Sequence, residues 1–368
     1  MNAPTSNIAT PDPSDLLDYY SQVVVPLRAA LLESRCNLLA DIGGPVEEAA
    51  RWITSEFPRH RIGERPLLTY LAWLLGGGKP GSLIPAHAAI ASELVHEGGL
   101  IHDDIVDNSP MRRFQPTQWA RYAATHGGQP WAADFGKGVA LWLGDLMLLW
   151  ADDIFGETVL SVAPAEAEAA RRVWVGSVTQ IWASQHIDLI EAAAGDLDAA
   201  QSSARKVISL KGRYVATVPL QLGAALAGAE PALMQALETY GRPLGEAYVL
   251  RNDLEGIFGT RTSTDKIAND LRERRLSMLV LIAYNRSNPK QRQLLRRAGS
   301  VGLHDDEAAA ITSLIEETGA RAEVERMIDE MADQTLAAVE AGIIADWARP
   351  LLAGAVHKAL KPGKYGRS

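Results

Sequence analysis

At 368 residues the chain is long enough for one large core or two small ones. Hydrophobic residues make up 47% and charged residues 22%, which excludes a solvated disordered chain and suits a globular protein. A net charge of −9 argues against general binding to nucleic acid, and an anionic protein that handles anionic substrates must offset its own field with bound metal and a few placed cations.

The start, MNAPTSNIATPDPSD, has no basic run and no apolar core, so no signal peptide is read there. Its Pro, Ser, Thr and Asn content predicts a disordered tail over 1–15. From there apolar residues recur at helical spacing over 16–34, 46–56, 67–75, 84–101, 136–155, 164–194, 200–226, 231–258 and 307–341. Pro164 suits a first helical position, and the alanines after it raise helix propensity. Breaks are expected at 76–81, 127–130, 260–269 and 299–304. No Asn-Gly or Asp-Gly turn joins two alternating segments, so strands should be minimal. No linker or repeat divides the chain, and residues 16–368 read as a single all-α domain.

The stretch 138–150 is too short to span a bilayer and carries Asp145, so no stable membrane insertion is expected. Cys36 is the only cysteine, which rules out an intrachain disulfide and suits a reducing, cytoplasmic setting.

Chemistry concentrates at 102–113, where Asp103, Asp104 and Asp107 precede Arg112 and Arg113. On a helix Asp103 and Asp107 share one face, one turn apart, with Asp104 beside them. Such a rim of carboxylates suits a hard cation, Mg2+ above all, bridging to a substrate phosphate whose other oxygens the planar arginine forks would take. Other acidic pairs read differently. Asp152-Asp153 lacks a third carboxylate one turn on, and His304-Asp305-Asp306 reads as a helix N-cap with first-turn acids. The run Gly76-Gly77-Gly78-Lys79 has no Gly-Lys-Ser/Thr ending and reads as a helix end and turn, not a phosphate loop.

DDIVDNSPMRRFQPT resembles the D-D-x-x-D and R-R-x-x-P-T motif of the trans-isoprenyl (polyprenyl) diphosphate synthases. Further matching pieces follow in the family's order: Arg65-Pro66, Glu93-Leu94-Val95-His96, Gly144-Asp145, Gln185 with Asp188, Lys211, Pro219-Leu220-Gln221-Leu222-Gly223 and Asp270-Leu271-Arg272-Glu273. The resemblance implies an isoprenoid-synthase-type helical bundle around a central cavity, working as a homodimer. It implies a prenyltransferase that condenses an allylic diphosphate with isopentenyl diphosphate, with three Mg2+ ions when substrate is bound. Asp103 and Asp107, supported by Asp104, would hold metal, and Arg112 and Lys211 the allylic diphosphate. Arg65, His96 and Arg113 would grip the homoallylic diphosphate, and Gln185 would line the cavity. Gly98 and Gly99, five and four places before Asp103, would leave the chain-elongation cavity open, pointing to a product of C20 or longer.

Departures gather at the second metal motif. Where the family carries an Asp pair this chain has Asn252-Asp253, and Glu255, about 60° away on a helical wheel, is a candidate to reach the same cation. Ile62 takes the place of a lysine, with Arg59 or Arg61 nearby; Gly212 follows Lys211 where a threonine is usual; Val249 replaces a glutamine; and Lys266 is the candidate lysine of the following loop. Asn252-Asp253 also resembles part of the class I terpene cyclase motif. A cyclase-like enzyme, a prenyltransferase with a non-standard acceptor and a non-catalytic partner subunit therefore stand as alternatives.

Overall fold

The computed structural model describes residues 13–55, 64–112, 114–259, 271, 277–299 and 302–360. The fold is all-α, as expected. In chain order run α1 (Pro13–Tyr19), α2 (Val25–Ile42), α3 (Val46–Ser55), α4 (Arg65–Leu75), α5 (Ile84–Val106), α6 (Gln118–Thr125), α7 (Ala132–Val159), α8 (Pro164–Ala194), α9 (Gln201–Gly212), α10 (Val218–Leu226), α11 (Pro231–Phe258), α12 (Met278–Arg286), α13 (Pro289–Leu295), α14 (Asp305–Glu317), α15 (Ala320–Val339) and α16 (Arg349–Leu360). Among the described residues the only strands are β1 (Met111–Arg112) and β2 (Gln115–Pro116), an antiparallel pair pairing Met111 with Pro116.

Two apolar cores flank the middle of the fold. One gathers Leu32, Ile53, Ile90, Leu94, Leu143, Met147 and Phe155 from the N-terminal helices. The other gathers Leu237, Tyr240, Leu250, Tyr284, Ile315 and Ile328 from the C-terminal ones. α4 feeds both, with Leu68 and Leu71 on one side and Tyr70 and Trp73 on the other. Long helices are held by these cores, since propensity alone leaves short helices marginal in water.

Two π-turns share one cause. At Tyr20–Val24 the Val25 amide donates to the Tyr20 carbonyl, and at Arg213–Thr217 the Val218 amide donates to the Arg213 carbonyl. Each turn ends two residues before a proline, Pro26 or Pro219. Proline has no N–H, and its ring collides with the carbonyl four residues back, so a widened turn relieves both problems. The first π-turn divides α1 from α2 where the sequence suggests one helix. α1 itself begins at Pro13, with Leu16 and Tyr19 buried, so the expected tail over 1–15 is helical in its last three residues.

The helix expected over 307–341 is two, α14 and α15, parted at Gly319, whose φ of 71° lies in the left-handed region. The glycines after α4 form the expected helix end and turn, with the Trp73 indole donating to the Lys79 carbonyl at 3.0 Å. The break expected at 260–269 lies outside the described residues.

Gly212 and Gly245 bring α9 and α11 into backbone contact. A Cβ on Gly212 would meet the Glu246 amide nitrogen at 2.6 Å, and one on Gly245 would fall inside the backbone of Gly212. This approach sets Lys211 of α9 opposite the Val249–Asp253 stretch of α11, and it explains why threonine is absent at 212. Gly212→Thr is therefore expected to destabilise the fold by about 1–3 kcal/mol through overpacking; an unshifted midpoint in guanidinium unfolding would contradict that close contact.

Candidate functional site

A cavity of about 970 Å³ lies between the two cores, lined by α4, α5, α8, α9, the second π-turn, α11 and α16. It gathers Arg65, His96, Gly99, Asp103, Arg112, Gln185, Asp188, Lys211, Asn252 and Asp253, residues spread over almost 190 positions of sequence. α5 carries Asp103 because its apolar stretch packs along α7, leaving the polar C-terminal end at the cavity. α8 places Gln185 and Asp188 one turn apart on the lining face.

Each cation meets a carboxylate. Arg112 forks between two, its Nη2 donating to Asp103 Oδ2 at 2.9 Å and its Nε to the buried Asp104 Oδ1 at 2.7 Å. Gln185 Nε2 donates to the other Asp103 oxygen at 3.2 Å. Lys211 pairs with Asp188. Arg65, itself buried, donates from Nε to Glu93 at 2.8 Å and lies 5.6 Å from the centre of the Tyr214 ring. Burial works against the Arg65 charge, but Glu93 and then Tyr214 outweigh it and hold its pKa above the ordinary arginine value. Burial also pushes the Tyr214 phenol well above its ordinary value, with Arg65 opposing, so it stays a neutral donor, bonded to the Ser92 carbonyl at 3.0 Å.

Four expected residues, Gly98, Asp104, Asp107 and Glu255, are not part of the cavity lining. Gly98 does not face the cavity: a Cβ there would meet the Gly144 carbonyl at 3.0 Å and Met147 Cβ at 3.2 Å, so this glycine serves the close packing of α5 on α7. Gly99 does face it, with Trp182 as the nearest atom to an added Cβ, at 3.8 Å. Glu255 is likewise not among the lining residues. Its carboxylate turns back to Arg251 one helical turn away, at 3.3 Å, and stays half exposed. Asp107 caps α5, its amide donating to the Asp103 carbonyl at 2.8 Å, one turn beyond the lining. Arg59, Arg61, Ile62, Arg113 and Lys266 lie outside the described residues.

The discounted acidic pairs are structural. Asp153 binds Arg35 at 2.6 Å and Asp152 accepts from the Trp174 indole at 3.1 Å, while His304 and Glu307 form a capping box at the start of α14. The sequence reading missed Trp182, Tyr214, Tyr248, Arg251 and Lys358. Trp182 had a signal, since it stands one turn before Gln185 on the lining face of α8.

The donors suit a hard cation. Asp103 of α5 and Asn252 and Asp253 of α11 all contribute oxygen-bearing side chains to the cavity lining. Among the described residues no three His, Cys, Asp or Glu groups converge into a ready-made metal site. A cation held here would thus be completed by oxygens of a bound diphosphate, as is common for Mg2+.

Comparison with known proteins agrees with this architecture. A family model described as polyprenyl synthetase matches residues 64–317. The chain is 32% identical to a farnesyl diphosphate synthase of Mycobacterium tuberculosis over 70% of its own length and 67% of that protein's. It is 31% identical to a geranylgeranyl diphosphate synthase of the same organism, over 75% and 73%. The crystal structure of a Corynebacterium glutamicum geranylgeranyl pyrophosphate synthase, complexed with isoprenyl diphosphate and magnesium, superposes with a TM-score of 0.85 at 29% identity, covering 94% of this chain and 99% of that one.

The two walls make separable predictions for metal binding. In calorimetry with Mg2+ and inorganic diphosphate, Asp103→Ala is expected to weaken cation binding at least about tenfold, since it removes a charged oxygen ligand. Glu255→Gln should leave binding unchanged because Arg251 already holds that carboxylate; a loss in Glu255→Gln equal to that in Asp103→Ala would return Glu255 to the metal wall.

Proposed function

This chain belongs to the polyprenyl synthetase family and is a prenyltransferase; from that premise we propose that it condenses an allylic diphosphate with isopentenyl diphosphate, with Mg2+, to a prenyl diphosphate of C20 or longer. The observation that carries this reading is the convergence of Asp103, Arg112 and Lys211 with Asn252 and Asp253 on one cavity whose lining also includes the apolar Leu100, Ile181, Trp182 and Ile208. Cations held by Asp103, Asn252 and Asp253, and by Asp107 one turn further along α5, would neutralise charge developing on the diphosphate as it leaves.

The protein's own groups do the remaining work. Arg112 and Lys211 exchange their carboxylate partners for diphosphate oxygens and hold the leaving group. The apolar walls keep water from the allylic cation, and the face of Trp182 favours positive charge. Arg65 and His96 orient the second diphosphate so that its double bond faces the cation. The departing diphosphate is itself a base and would take the proton released after condensation.

Among the described residues no helix is long and apolar enough to cross a membrane. α7 and α8 expose Trp142, Leu149, Val175, Leu189 and Ile190. Leu141 and Leu189 are at once exposed and part of the cavity lining, so a second copy seated on this face would also close the cavity's side, and we read the enzyme as a homodimer. Light scattering is expected to give twice the chain mass, and Leu149→Glu to shift it toward one chain; a monomeric wild type would overturn this.

Incubation with labelled isopentenyl diphosphate, Mg2+ and C5, C10 or C15 allylic partners tests the activity. Longer diphosphates are expected from wild type, and Asp103→Ala or Asp107→Ala should lower turnover by several orders of magnitude, since a lost ligand removes several kcal/mol of charge stabilisation. Hydrocarbons or alcohols would identify a cyclase, and no turnover a partner subunit.

Chain length separates the two glycines. Gly99→Phe fills the space before Trp182 and is expected to shorten the product, whereas Gly98→Phe should fail through misfolding of the α5–α7 contact. Chromatography of the products decides; a wild type stopping at C15, or an unchanged length in Gly99→Phe, would refute the role of Gly99.

A further inference from the structure

A second cavity, of about 570 Å³, lies among the turn joining α4 to α5, the connection from α7 to α8 and the end of α10. None of its lining residues lines the catalytic cavity. The glycine-rich turn borders this space without filling it. At Gly77 and Gly81, with φ of 88° and 73°, no atom lies within 4 Å of the position a Cβ would take.

Two opposite charges line the cavity without meeting. Glu166 is the third residue of α8, where the helix dipole favours a carboxylate. Its Oε2 is shielded from solvent and has no hydrogen-bond partner. A carboxylate oxygen withdrawn from water is costly unless a donor reaches it. Lys79 lines the same cavity and is exposed, yet its ammonium does not supply that donor. Beside the two charges are the apolar side chains of Trp73, Ile84, Val162 and Leu226.

This combination selects a ligand class. A plain amine would satisfy Glu166 but bring a second cation to the cavity of Lys79. A plain anion would satisfy Lys79 but leave Glu166 Oε2 without a donor. A molecule carrying both charges meets both groups and adds no net charge to the cavity. We propose that this cavity binds a small zwitterion, its ammonium donating to Glu166 and its carboxylate accepting from Lys79. The site is independent of prenyl transfer, and its failure would leave the proposed condensation intact.

Titration of the full chain with ω-amino acids from glycine to 6-aminohexanoate tests this, with n-butylamine and butyrate as single-charge controls. Affinity is read by calorimetry and location by the indole N–H resonances. The Trp73 indole donates to the Lys79 carbonyl at 3.0 Å, so a ligand at Lys79 should move its signal, while Trp182 in the catalytic cavity stays still. At least one member of the series is expected to bind with a Kd of about 1 mM or tighter. It should bind at least about tenfold more tightly than either control, because it makes two charge-assisted contacts. Glu166→Gln and Lys79→Ala should each weaken that binding about tenfold and leave prenyl-transfer activity unchanged. Failure of the whole series to bind, or a shift at Trp182 in place of Trp73, overturns the proposal and leaves water as the donor to Glu166. Equal affinity for n-butylamine overturns the zwitterion assignment, and unchanged affinity in Glu166→Gln overturns the role of the carboxylate.

Discussion

Charge compensation inside one cavity is the constraint on which this fold turns. A site that receives diphosphates needs cations, and a site that receives metal needs carboxylates, but neither sign is tolerable alone where water is scarce. The chain resolves this by pairing them before any ligand arrives. Arg112 sits between Asp103 and Asp104, Lys211 on Asp188, and Arg65 on Glu93, each pair joining different helices or a helix to the β1–β2 hairpin. On the proposed reading, substrate binding is an exchange of partners between charges already held in place, which limits the reorganisation the reaction requires.

That arrangement depends on close backbone approach at a few points. Gly212 against Gly245 brings the backbones of α9 and α11 together, and Gly98 against Gly144 seats the helix that carries the Asp103 carboxylate. The second π-turn has a related role. It absorbs Pro219 within one helical run, and Tyr214, a member of that widened turn, enters the lining beside Arg65. Packing thus decides where the charges stand, and the charges decide what the cavity accepts.

The sequence was most legible where a signal was local. α8 and α11 match the expected 164–194 and 231–258 to the residue, because each is long, strongly patterned and opened by a proline at its first position. α12, MLVLIAYNR, escaped because it is almost wholly buried and has no polar face to give a period. The metal-side carboxylates and Arg112 were legible as one compact motif. Gly98 and Gly99 were not separable, since adjacent helical positions differ by about 100° and only the neighbouring α7 shows which one points inward. Glu255 failed for a similar reason: a helical wheel gives angles, while the competing Arg251 gives the actual direction. Lys358 had no signal at all, because its place beside Glu64 and near Arg251 is made by the fold, across about a hundred residues from Arg251 and nearly three hundred from Glu64.

The departures from the family pattern can be understood together as a redistribution of charge. Asn252 removes one negative charge from the metal wall, and Ile62 removes one positive charge from the stretch leading into α4. Arg65, Arg112, Lys211, Arg251 and Lys358 line the cavity against Glu64, Glu93, Glu97, Asp103, Asp188 and Asp253. What changes is where the cations come from. A lysine near α4 would be tied to that helix, whereas Lys358 arrives on α16 and depends on Arg251 to hold the helix end.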